Sequence, residues 1–555
     1  MKNRSSLEVT AGPIAKEFNR LLSRGVKTQL VPRIMGRDAA VFTTNAATRK
    51  LIVNRLGWTD VASSMRGRVV EIERFGRQVF ADGIRHVVLA GMGGSSLCPE
   101  VFKLMFGKHP KLASFDVLDA TDPVAVGRLA LKLDLHRSLF IIASKSGGTI
   151  ETRSHEAFFL DLLAREGIRN IGKHFVAITD KGSNLEKFAR RRKYRKVFVN
   201  PSDIGGRYSA LSFFGLVPGF LAGVDLTKLL VDAVSMENIL RERIDESNPA
   251  LILGAALAAG ARGGRDKLTF RASSKAAPLI PWIEQLIAES TGKKGKGIVP
   301  IEAEPMLDAK KYGKDRVFVA LRMAGERPPV PGSVGDLLPR LDLVIGDRSQ
   351  LGSQFLLWEA ATAVAGYSLD INPFDEPNVT ESKENTKRIL AGLEKTGRFP
   401  FDRAGDMIAR HEHEAVRVIR KHLRSIRPPA YVTFLCYFPS DKNTEDSLAK
   451  IRGLVSGRTK VATLRGYGPR YLHSIGQLYK GGPKEGLFVV LLREEYSDLV
   501  IPGQSFGFGQ LIRAQALGDA QALIKRKFPT LVLAIDGEPA DGLKSLLGLV
   551  RKALN

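Results

Sequence analysis

A short apolar run and a glycine-rich loop stand side by side in His86-Val87-Val88-Leu89-Ala90-Gly91-Met92-Gly93-Gly94-Ser95-Ser96-Leu97. The run His86–Ala90 predicts a strand buried on both faces, as in parallel sheets. Glycines after such a strand allow a tight turn whose N–H groups, with a following helix N-terminus, favour an anion. A dinucleotide fingerprint would need glycine where Ser96 stands, so a phosphate nest fits better. A plain strand-to-helix turn is the other interpretation.

Further apolar runs, separated by helix-like stretches, predict a doubly wound parallel sheet. The runs that follow His86–Ala90 are Phe115–Leu118, Ser138–Ala143, His174–Thr179 and Lys196–Val199. A second set is Leu268–Arg271, Val317–Leu321 and Leu341–Ile345, followed by a long helix-like stretch, Gly352–Leu369. A third set is Tyr431–Tyr437, Gly486–Leu492 and Leu531–Ile535.

These sets predict an α/β protein with two doubly wound parallel-sheet domains. We expect a mostly helical N-terminal segment over residues 1–80, a first domain over 81–235, a second over 236–400 and a C-terminal α/β segment over 401–555. A chain of 555 residues is too long for one hydrophobic core, which agrees with such a division.

A second loop rich in hydroxyl groups, Ser144–Thr152 (SKSGGTIET), follows the predicted strand Ser138–Ala143. Helix capping uses one hydroxyl, whereas a phosphate can use several. Ligands of open α/β sheets bind beyond the carboxyl ends of the strands, so this loop and Gly91–Leu97 can converge on one phosphate. We therefore favour a phosphate site over capping.

A third loop, Asp203–Ser209 (DIGGRYS), follows the strand that ends near Asn200 and carries Arg207 behind two glycines. An arginine there can approach a ligand closely and stabilise negative charge on a substrate oxygen. The alternative is an arginine in a surface turn.

Together and in this order, the three loops resemble the phosphoglucose isomerase family. The segment Glu284–Lys293 (EQLIAESTGK) resembles the family's QL-x-x-ES-x-GK segment, and Ile371–Val379 (INPFDEPNV), with Lys383 after it, resembles its closing signature. From about residue 40 to the C-terminus, including Gly466–Ser474 (GYGPRYLHS), the chain is similar to the isomerase portion of fused transaldolase–glucose-6-phosphate isomerase proteins. The resemblance implies that both predicted domains are phosphosugar-binding domains of the SIS type.

The resemblance also implies roles for individual residues. Sugar phosphate would be bound by Gly93, Gly94, Ser95, Ser144, Ser146 and Thr149. The base that moves a proton between C1 and C2 would be Glu304, which precedes Pro305; Glu302 is close enough to be confused with it. An enediolate needs fixed positive charge near its oxygens, for which Arg207 and Lys383 are the candidates. In the family this lysine also helps to open the sugar ring.

Two departures from the family are visible. Glu376 stands where the family usually has glutamine, and a charged carboxylate there would repel a phosphate. The family's ring-opening histidine has no counterpart, because no histidine occurs between residues 175 and 410. His473, in a His-Ser-x-x-Gln-Leu segment, is a candidate substitute, although a structural histidine is the simpler interpretation.

The predicted function is the interconversion of glucose 6-phosphate and fructose 6-phosphate, with mannose 6-phosphate as a variant substrate. A non-catalytic sugar-phosphate sensor is the alternative, and it draws on Glu376 and the missing histidine. The proton-transfer route needs no cofactor and no metal, and the nearest histidine pair, in His411-Glu412-His413, has neighbours on different sides of a helix. A homodimer is expected from the resemblance alone.

Composition and charge limit the classes of protein to which the chain can belong. Two cysteines exclude a disulfide framework and suit a reducing cytoplasm. The N-terminal residues lack the apolar region of a signal peptide, and the run Ala250–Ala261 is shorter than the about 20 residues that span a membrane. A net charge of +26 fits a solvated basic surface, steering of an anionic substrate or, less well, nucleic-acid binding. The basic run Arg190–Lys196 is explained more simply as a solvated helix end.

Overall fold

The computed structural model describes residues 6–331, 334, 337–378, 380–399, 412–423, 426–494, 496 and 498–555. Val379 of the closing segment, His411 and residues 401–410 of the predicted C-terminal segment lie outside the described residues.

The strands are β1 Ser6–Thr10, β2 His86–Gly91, β3 Ser114–Leu118, β4 Ser138–Ala143, β5 Phe175–Asp180, β6 Lys196–Asn200, β7 Lys267–Ala272, β8 Val299–Ile301, β9 Arg316–Met323, β10 Arg340–Ile345, β11 Tyr431–Tyr437, β12 Ala462–Tyr467, β13 Gly486–Arg493 and β14 Thr530–Ile535. The α-helices are α1 Ala15–Lys27, α2 Leu30–Met35, α3 Ala46–Val53, α4 Val61–Arg66, α5 Val69–Ala81, α6 Leu97–Phe106, α7 Pro123–Lys132, α8 Ile150–Arg165, α9 Asn184–Arg191, α10 Phe213–Leu221, α11 Leu226–Glu242, α12 Pro249–Arg262, α13 Ile280–Thr291, α14 Leu351–Ser368, α15 Thr380–Thr396, α16 Glu412–Leu423, α17 Lys442–Thr459, α18 Gly476–Gly481, α19 Phe508–Lys525 and α20 Pro539–Leu554.

The first sheet contains five parallel strands in the order β3-β2-β4-β5-β6. Its strands are buried because helices cover both faces, which explains their continuous apolar sequences. The first strand, β2, lies between the second and the third, so the crossovers reverse direction between β2 and β4. A crevice at the carboxyl ends of the strands forms at such a reversal and is the usual ligand site of open α/β sheets.

The second sheet repeats this arrangement with β8-β7-β9-β10 in parallel and adds β1 antiparallel to β10 at its edge. The N-terminal segment, predicted as mostly helical, therefore also supplies a strand, whose partner β10 is more than 300 residues away in the sequence. The helices α1–α5 follow in that segment. The domain boundaries at residues 80, 235 and 400 stay a prediction.

The third sheet has the same strand order, β12-β11-β13-β14, and is parallel throughout. It lies between two apolar clusters, one built with α17 and α20 and the other with α18 and α19. The prediction of an α/β fold with doubly wound parallel sheets is confirmed. In the described part of the chain, no helix combines the length and apolar character needed to cross a membrane.

Candidate active site

The first glycine-rich loop lies after β2 and contacts two other segments through its glycines. Gly93 has a φ of +56°, and a Cβ there would lie 2.4 Å from the carbonyl oxygen of His473. A Cβ on Gly94 would lie 2.0 Å from the carbonyl oxygen of Gly206. Both distances are shorter than any real contact, so only glycine lets the three segments meet. Ser95, next in the loop, is buried and lines a cavity.

The second loop lies after β4 and leads into α8. Ser144 Oγ lies 3.1 Å from Thr149 Oγ1 and accepts a hydrogen bond of 3.1 Å from the Gly147 N–H. Thr149 is the N-cap of α8, yet its side chain makes no capping hydrogen bond. Capping of α8 therefore does not occupy the Thr149 hydroxyl of this loop. The N–H groups in the first turn of this 16-residue helix lie beside the loop. This arrangement suits a phosphate.

The third loop places Arg207 in a short 3-10 helix, Gly206–Tyr208, where its guanidinium is 3% exposed. Its Nε donates to Ser290 Oγ at 2.8 Å, and its Nη2 donates to the carbonyl oxygens of Pro373 and Asp375 at 2.7 and 3.1 Å. Five donors in a rigid plane are thus fixed from several sides. The predicted arginine is a buried and oriented charge, not a surface-turn residue.

Two carboxylates share the remaining nitrogen of that guanidinium. Arg207 Nη1 lies 3.3 Å from Glu289 Oε2 and 3.1 Å from Glu376 Oε2. Burial raises the pKa of Glu289 to about 7, with Arg207 opposing that rise and Glu376 adding to it. Gln285, one turn earlier on α13, donates to the other oxygen, Oε1, at 3.4 Å. A carboxyl group that titrates near neutral pH is suited to general acid–base catalysis.

The predicted His473 pairs with a buried carboxylate. Its Nε2 lies 2.9 Å from Glu151 Oε1 at the start of α8. Burial alone would raise the pKa of Glu151, but His473 and a hydrogen bond to the charged form lower it below its ordinary value. Because a carboxylate only accepts hydrogen bonds, Nε2 of His473 carries the hydrogen. This contact orients the imidazole of His473, whose catalytic role stays a prediction.

One cavity of about 660 Å³ connects these elements at the carboxyl ends of β2 and β4. The predicted residues that line it are Gly93, Gly94, Ser95, Ser144, Ser146, Thr149, Arg207, Lys383 and His473. Lys383 belongs to α15 and also borders an inner recess of about 110 Å³ with Glu151 and His473. The structure therefore brings together nine of the ten predicted site residues.

Glu304 is the exception, because it does not line the cavity. Glu304 is 2% exposed, and its carboxylate accepts two hydrogen bonds from Arg316, at 2.7 and 3.1 Å, and one from the Thr463 N–H at 2.8 Å. Burial would raise the pKa of Glu304, but Arg316 and Thr463 lower it overall. A carboxylate so fully engaged is placed to stabilise the contact between β9 and β12, and its role as the base stays a prediction.

The cavity also contains groups to which the sequence analysis gave no role, namely Glu289, Gln285 and, in its inner recess, Glu151. Glu376, which the sequence analysis noted as a departure from the family, lines the cavity as well. Glu289 and Gln285 lie in the segment Glu284–Lys293, and their spacing of four residues puts them on one face of a helix. Glu151 lies inside the second loop itself. In the described ranges, no group of three or more His, Cys, Asp or Glu side chains is arranged to hold a metal ion.

Comparison with known proteins connects this chain to one family. The family model Phosphoglucose isomerase matches residues 60–299. A glucose-6-phosphate isomerase of Citrifermentans bemidjiense is 31% identical over 381 residues, which cover 60% of this chain and 72% of that protein. One of Prochlorococcus marinus is 28% identical over 422 residues, or 65% of this chain and 78% of that protein.

Solved structures with a similar fold include a hypothetical protein of Thermus thermophilus. It aligns with a TM-score of 0.58 at 26% identity, over 70% of this chain and 100% of that one. A glucose-6-phosphate isomerase of Chlamydia trachomatis aligns with a TM-score of 0.56 at 18% identity, over 73% of this chain and 91% of that one. The latter likeness concerns the fold alone.

Proposed function

The chain belongs to the phosphoglucose isomerase family, and we propose that it interconverts glucose 6-phosphate and fructose 6-phosphate by proton transfer through an enediol. One observation carries the proposal: Glu289, with a pKa near neutrality, lies beside the fixed Arg207 in a cavity bordered by two hydroxyl-rich loops. This combination supplies a base, a charge for the developing oxyanion and a phosphate cradle in one place.

In the proposed complex, the substrate phosphate binds at the start of α8. The hydroxyl groups of Ser95, Ser144, Ser146 and Thr149 would donate to its oxygens, and the glycines Gly93 and Gly94 let the loops approach closely. Support comes from the free capping position of Thr149 and from the α8 N-terminus, which favours negative charge.

The proton between C1 and C2 would be moved by Glu289 rather than by Glu304. Glu289 borders the cavity, whereas both oxygens of Glu304 are occupied by Arg316 and Thr463. Proton abstraction creates an enediolate, whose oxygens need positive charge. Arg207 and Lys383 would supply it, since both line the same cavity.

Ring opening would fall to His473. A cyclic hexose phosphate must exchange a proton between its ring oxygen and its anomeric hydroxyl before the open chain can isomerise. The Glu151 carboxylate orients the imidazole and stabilises its charged form, as carboxylates do for catalytic histidines.

Finer features of the prediction remain proposals. Residues from about 40 onward would correspond to the isomerase portion of fused transaldolase–glucose-6-phosphate isomerase proteins, which is supported by the use of Gly466–Ser474 to bring His473 to the cavity. A cytoplasmic location, a homodimer and a reaction without cofactor or metal also remain proposals.

The test is an isomerase assay on metal-stripped protein with fructose 6-phosphate, in which glucose 6-phosphate is followed by a coupled NADP-linked dehydrogenase. We expect turnover by the wild type and a fall in kcat of about 10²- to 10⁴-fold in Glu289→Gln, the usual contribution of a general base. Activity that survives in Glu289→Gln but disappears in folded Glu304→Gln would return the base to Glu304. Phosphosugar binding without turnover would favour the sensor, and preferred turnover of mannose 6-phosphate would change the substrate.

A further inference from the structure

The carboxylate that holds His473 has a second hydrogen-bond donor, from the C-terminal part of the chain. Gln515, on α19, donates from Nε2 to Glu151 Oε1 at 2.8 Å, and His473 Nε2 lies 2.9 Å from the same oxygen. Gln515 is 2% exposed and borders the inner recess of the cavity together with Lys383. A neutral donor and the histidine therefore share one carboxylate oxygen.

The amide of Gln515 has a fixed orientation. Thr121 Oγ1 donates to Gln515 Oε1 at 2.7 Å, and both side chains are buried. If the amide were reversed, its oxygen would face the carboxylate of Glu151, and two acceptors would meet. The charge of Glu151 therefore keeps the NH₂ group toward it, with Thr121 satisfying the amide oxygen.

The helix that carries Gln515 is itself fixed against the site. One turn later, the buried Asp519 accepts hydrogen bonds from Ser382 Oγ at 2.9 Å and from Tyr471 Oη at 2.6 Å, and pairs with Lys480 Nζ at 2.7 Å. Ser382 precedes Lys383 on α15, and Tyr471 lies two residues before His473. Helix α19 is thus held in register with both segments that bring Lys383 and His473 to the cavity.

We propose that Gln515 is a positioning residue for ring opening: its amide holds the Glu151 carboxylate in the orientation from which Glu151 orients His473. The role rests on the proposed isomerase function, and Gln515 itself does not touch the substrate. A carboxylate held by one donor can rotate about its terminal bond, whereas two donors on one oxygen leave a single direction for the imidazole.

Removal of the Gln515 donor would also change the charge balance of the pair. The groups that face Glu151 are His473, Lys383, His155 and the phenol of Tyr437. Loss of a hydrogen bond to its charged form makes Glu151 a stronger base. The carboxylate then attracts the Nε2 hydrogen of His473 more strongly, so the hydrogen bond between His473 and Glu151 should strengthen.

The kinetic test compares wild type with Gln515→Met, which keeps the length of the side chain and removes the donor. Gln521→Met, on the same helix but away from the cavity lining, is the matched control. We expect Gln515→Met to lower kcat/KM for fructose 6-phosphate about tenfold or more, as the loss of a supporting partner of a histidine typically does. Turnover of 5-deoxyfructose 6-phosphate, which cannot close its ring, should stay within about twofold, a loss worth under about 0.5 kcal/mol.

A second readout does not depend on turnover. The Nε2–H proton of His473 is observed by NMR at fixed pH, with His473→Gln used for assignment, and we expect its resonance to move downfield in Gln515→Met but not in Gln521→Met. An unmoved or upfield-shifted resonance, or an equal loss on both substrates, would overturn the proposal. If the wild type turns over neither substrate, the isomerase proposal fails and the NMR comparison alone decides the role of Gln515. If Gln515→Met does not fold, Thr121→Val, which frees the amide, is measured in the same way.

Discussion

Arg207 Nη1 lies 3.1 Å from Glu376 Oε2, so the carboxylate that replaces the family's usual glutamine has a cationic partner. The sequence alone presented Glu376 as a charge that repels phosphate. In the folded protein, one oxygen of that carboxylate contacts the buried guanidinium of Arg207, which also contacts Glu289. The effect of Glu376 is therefore transmitted to the proposed base as well as to the rim of the phosphate site.

Glu376→Gln should move the acid limb of the pH–activity profile. Glu376 contributes to the raised pKa of Glu289, which is about 7, so removal of its negative charge lowers that pKa. Because a base works in its ionised form, activity should persist to lower pH in the variant. The measurement is kcat/KM for fructose 6-phosphate between about pH 5 and 9, which reports the free enzyme.

The matched control is Glu384→Gln, which removes the same charge from an exposed position on α15 outside the cavity lining. Its acid limb should coincide with that of the wild type. An acid limb that stays in place in Glu376→Gln, or moves to higher pH, would contradict the coupling between Glu376 and Glu289.

Thr149→Val should weaken substrate binding without loss of stability. The Thr149 side chain makes no capping bond to α8, and its hydroxyl contacts another hydroxyl of the same loop, Ser144 Oγ, at 3.1 Å. With Ser144 Oγ as the donor of that contact, the Thr149 hydroxyl can donate to phosphate. A hydrogen bond to a charged group contributes about 1.5–3 kcal/mol, which predicts a KM for fructose 6-phosphate about 10- to 100-fold higher. The free energy of unfolding in urea should differ between the variant and the wild type by less than about 0.5 kcal/mol.

Asp225→Ala is the contrasting variant, because Asp225 does cap α11 by accepting from the Lys228 N–H. We expect it to lose about 1 kcal/mol of stability with KM unchanged. If Thr149→Val loses stability in the same way and keeps its KM, the hydroxyl is a structural one and the capping interpretation is correct.

The strands of the first sheet were predictable because each is a mostly apolar run bounded by turn residues. Strands β1, β8 and β12 were missed, and β1 shows the reason: Ser6–Thr10 is an exposed edge strand with only partial burial at every second residue. Its partner, β10, is more than 300 residues away. A pairing that depends on tertiary contact leaves little trace in a local pattern.

The residues of the candidate site were likewise predictable only where their pattern is local in the sequence. Glycines and hydroxyl residues in the loops were recognisable from spacing, because a phosphate loop requires those residue types locally. Glu304 was preferred to Glu302 for its neighbouring proline, which carries no information on where the carboxylate lies, and Glu289 was not considered as the base. The distinction between Glu304 and Glu289 depends on Arg316, which engages Glu304, and on Arg207, which faces Glu289. Neither contact is local in the sequence.

Glu304→Gln should destabilise the protein much more than it slows the folded enzyme. The Glu304–Arg316 pair is fully buried, and loss of one partner of such a pair typically costs about 3–5 kcal/mol. Since the pKa of Glu304 is lowered below its ordinary value of 4.5, the stabilisation is present above that pH and is lost as the pH falls through the lowered pKa. The difference in the free energy of unfolding between wild type and variant, measured with urea, should thus be largest near neutral pH and shrink in acid.

Replacement of both partners, in Glu304→Met with Arg316→Met, should recover part of the stability lost in either single variant, because no unpaired charge remains buried. Isomerase activity per folded molecule should stay within about twofold of wild type. Such a change corresponds to less than about 0.5 kcal/mol in the activation free energy of the reaction. A loss of activity in the stable double variant would show that Glu304 takes part in the reaction.

Gly94→Ala should separate two loops of the site. The added Cβ would lie 2.0 Å from the carbonyl oxygen of Gly206, and backbone cannot rotate away as a side chain can. The loop that carries Ser95 must then move relative to Arg207, so phosphate and enediolate could no longer be contacted together. Misplacement of binding groups by about 1 Å can cost about 10²-fold in rate, and we expect a loss of that order in kcat/KM.

Gly206→Ala is the control on the other side of the contact, because a Cβ at Gly206 has no neighbour within 4 Å. Its melting temperature should equal that of the wild type, whereas that of Gly94→Ala should fall; equal melting temperatures for all three proteins would mean that the two loops do not meet as closely as their glycines allow.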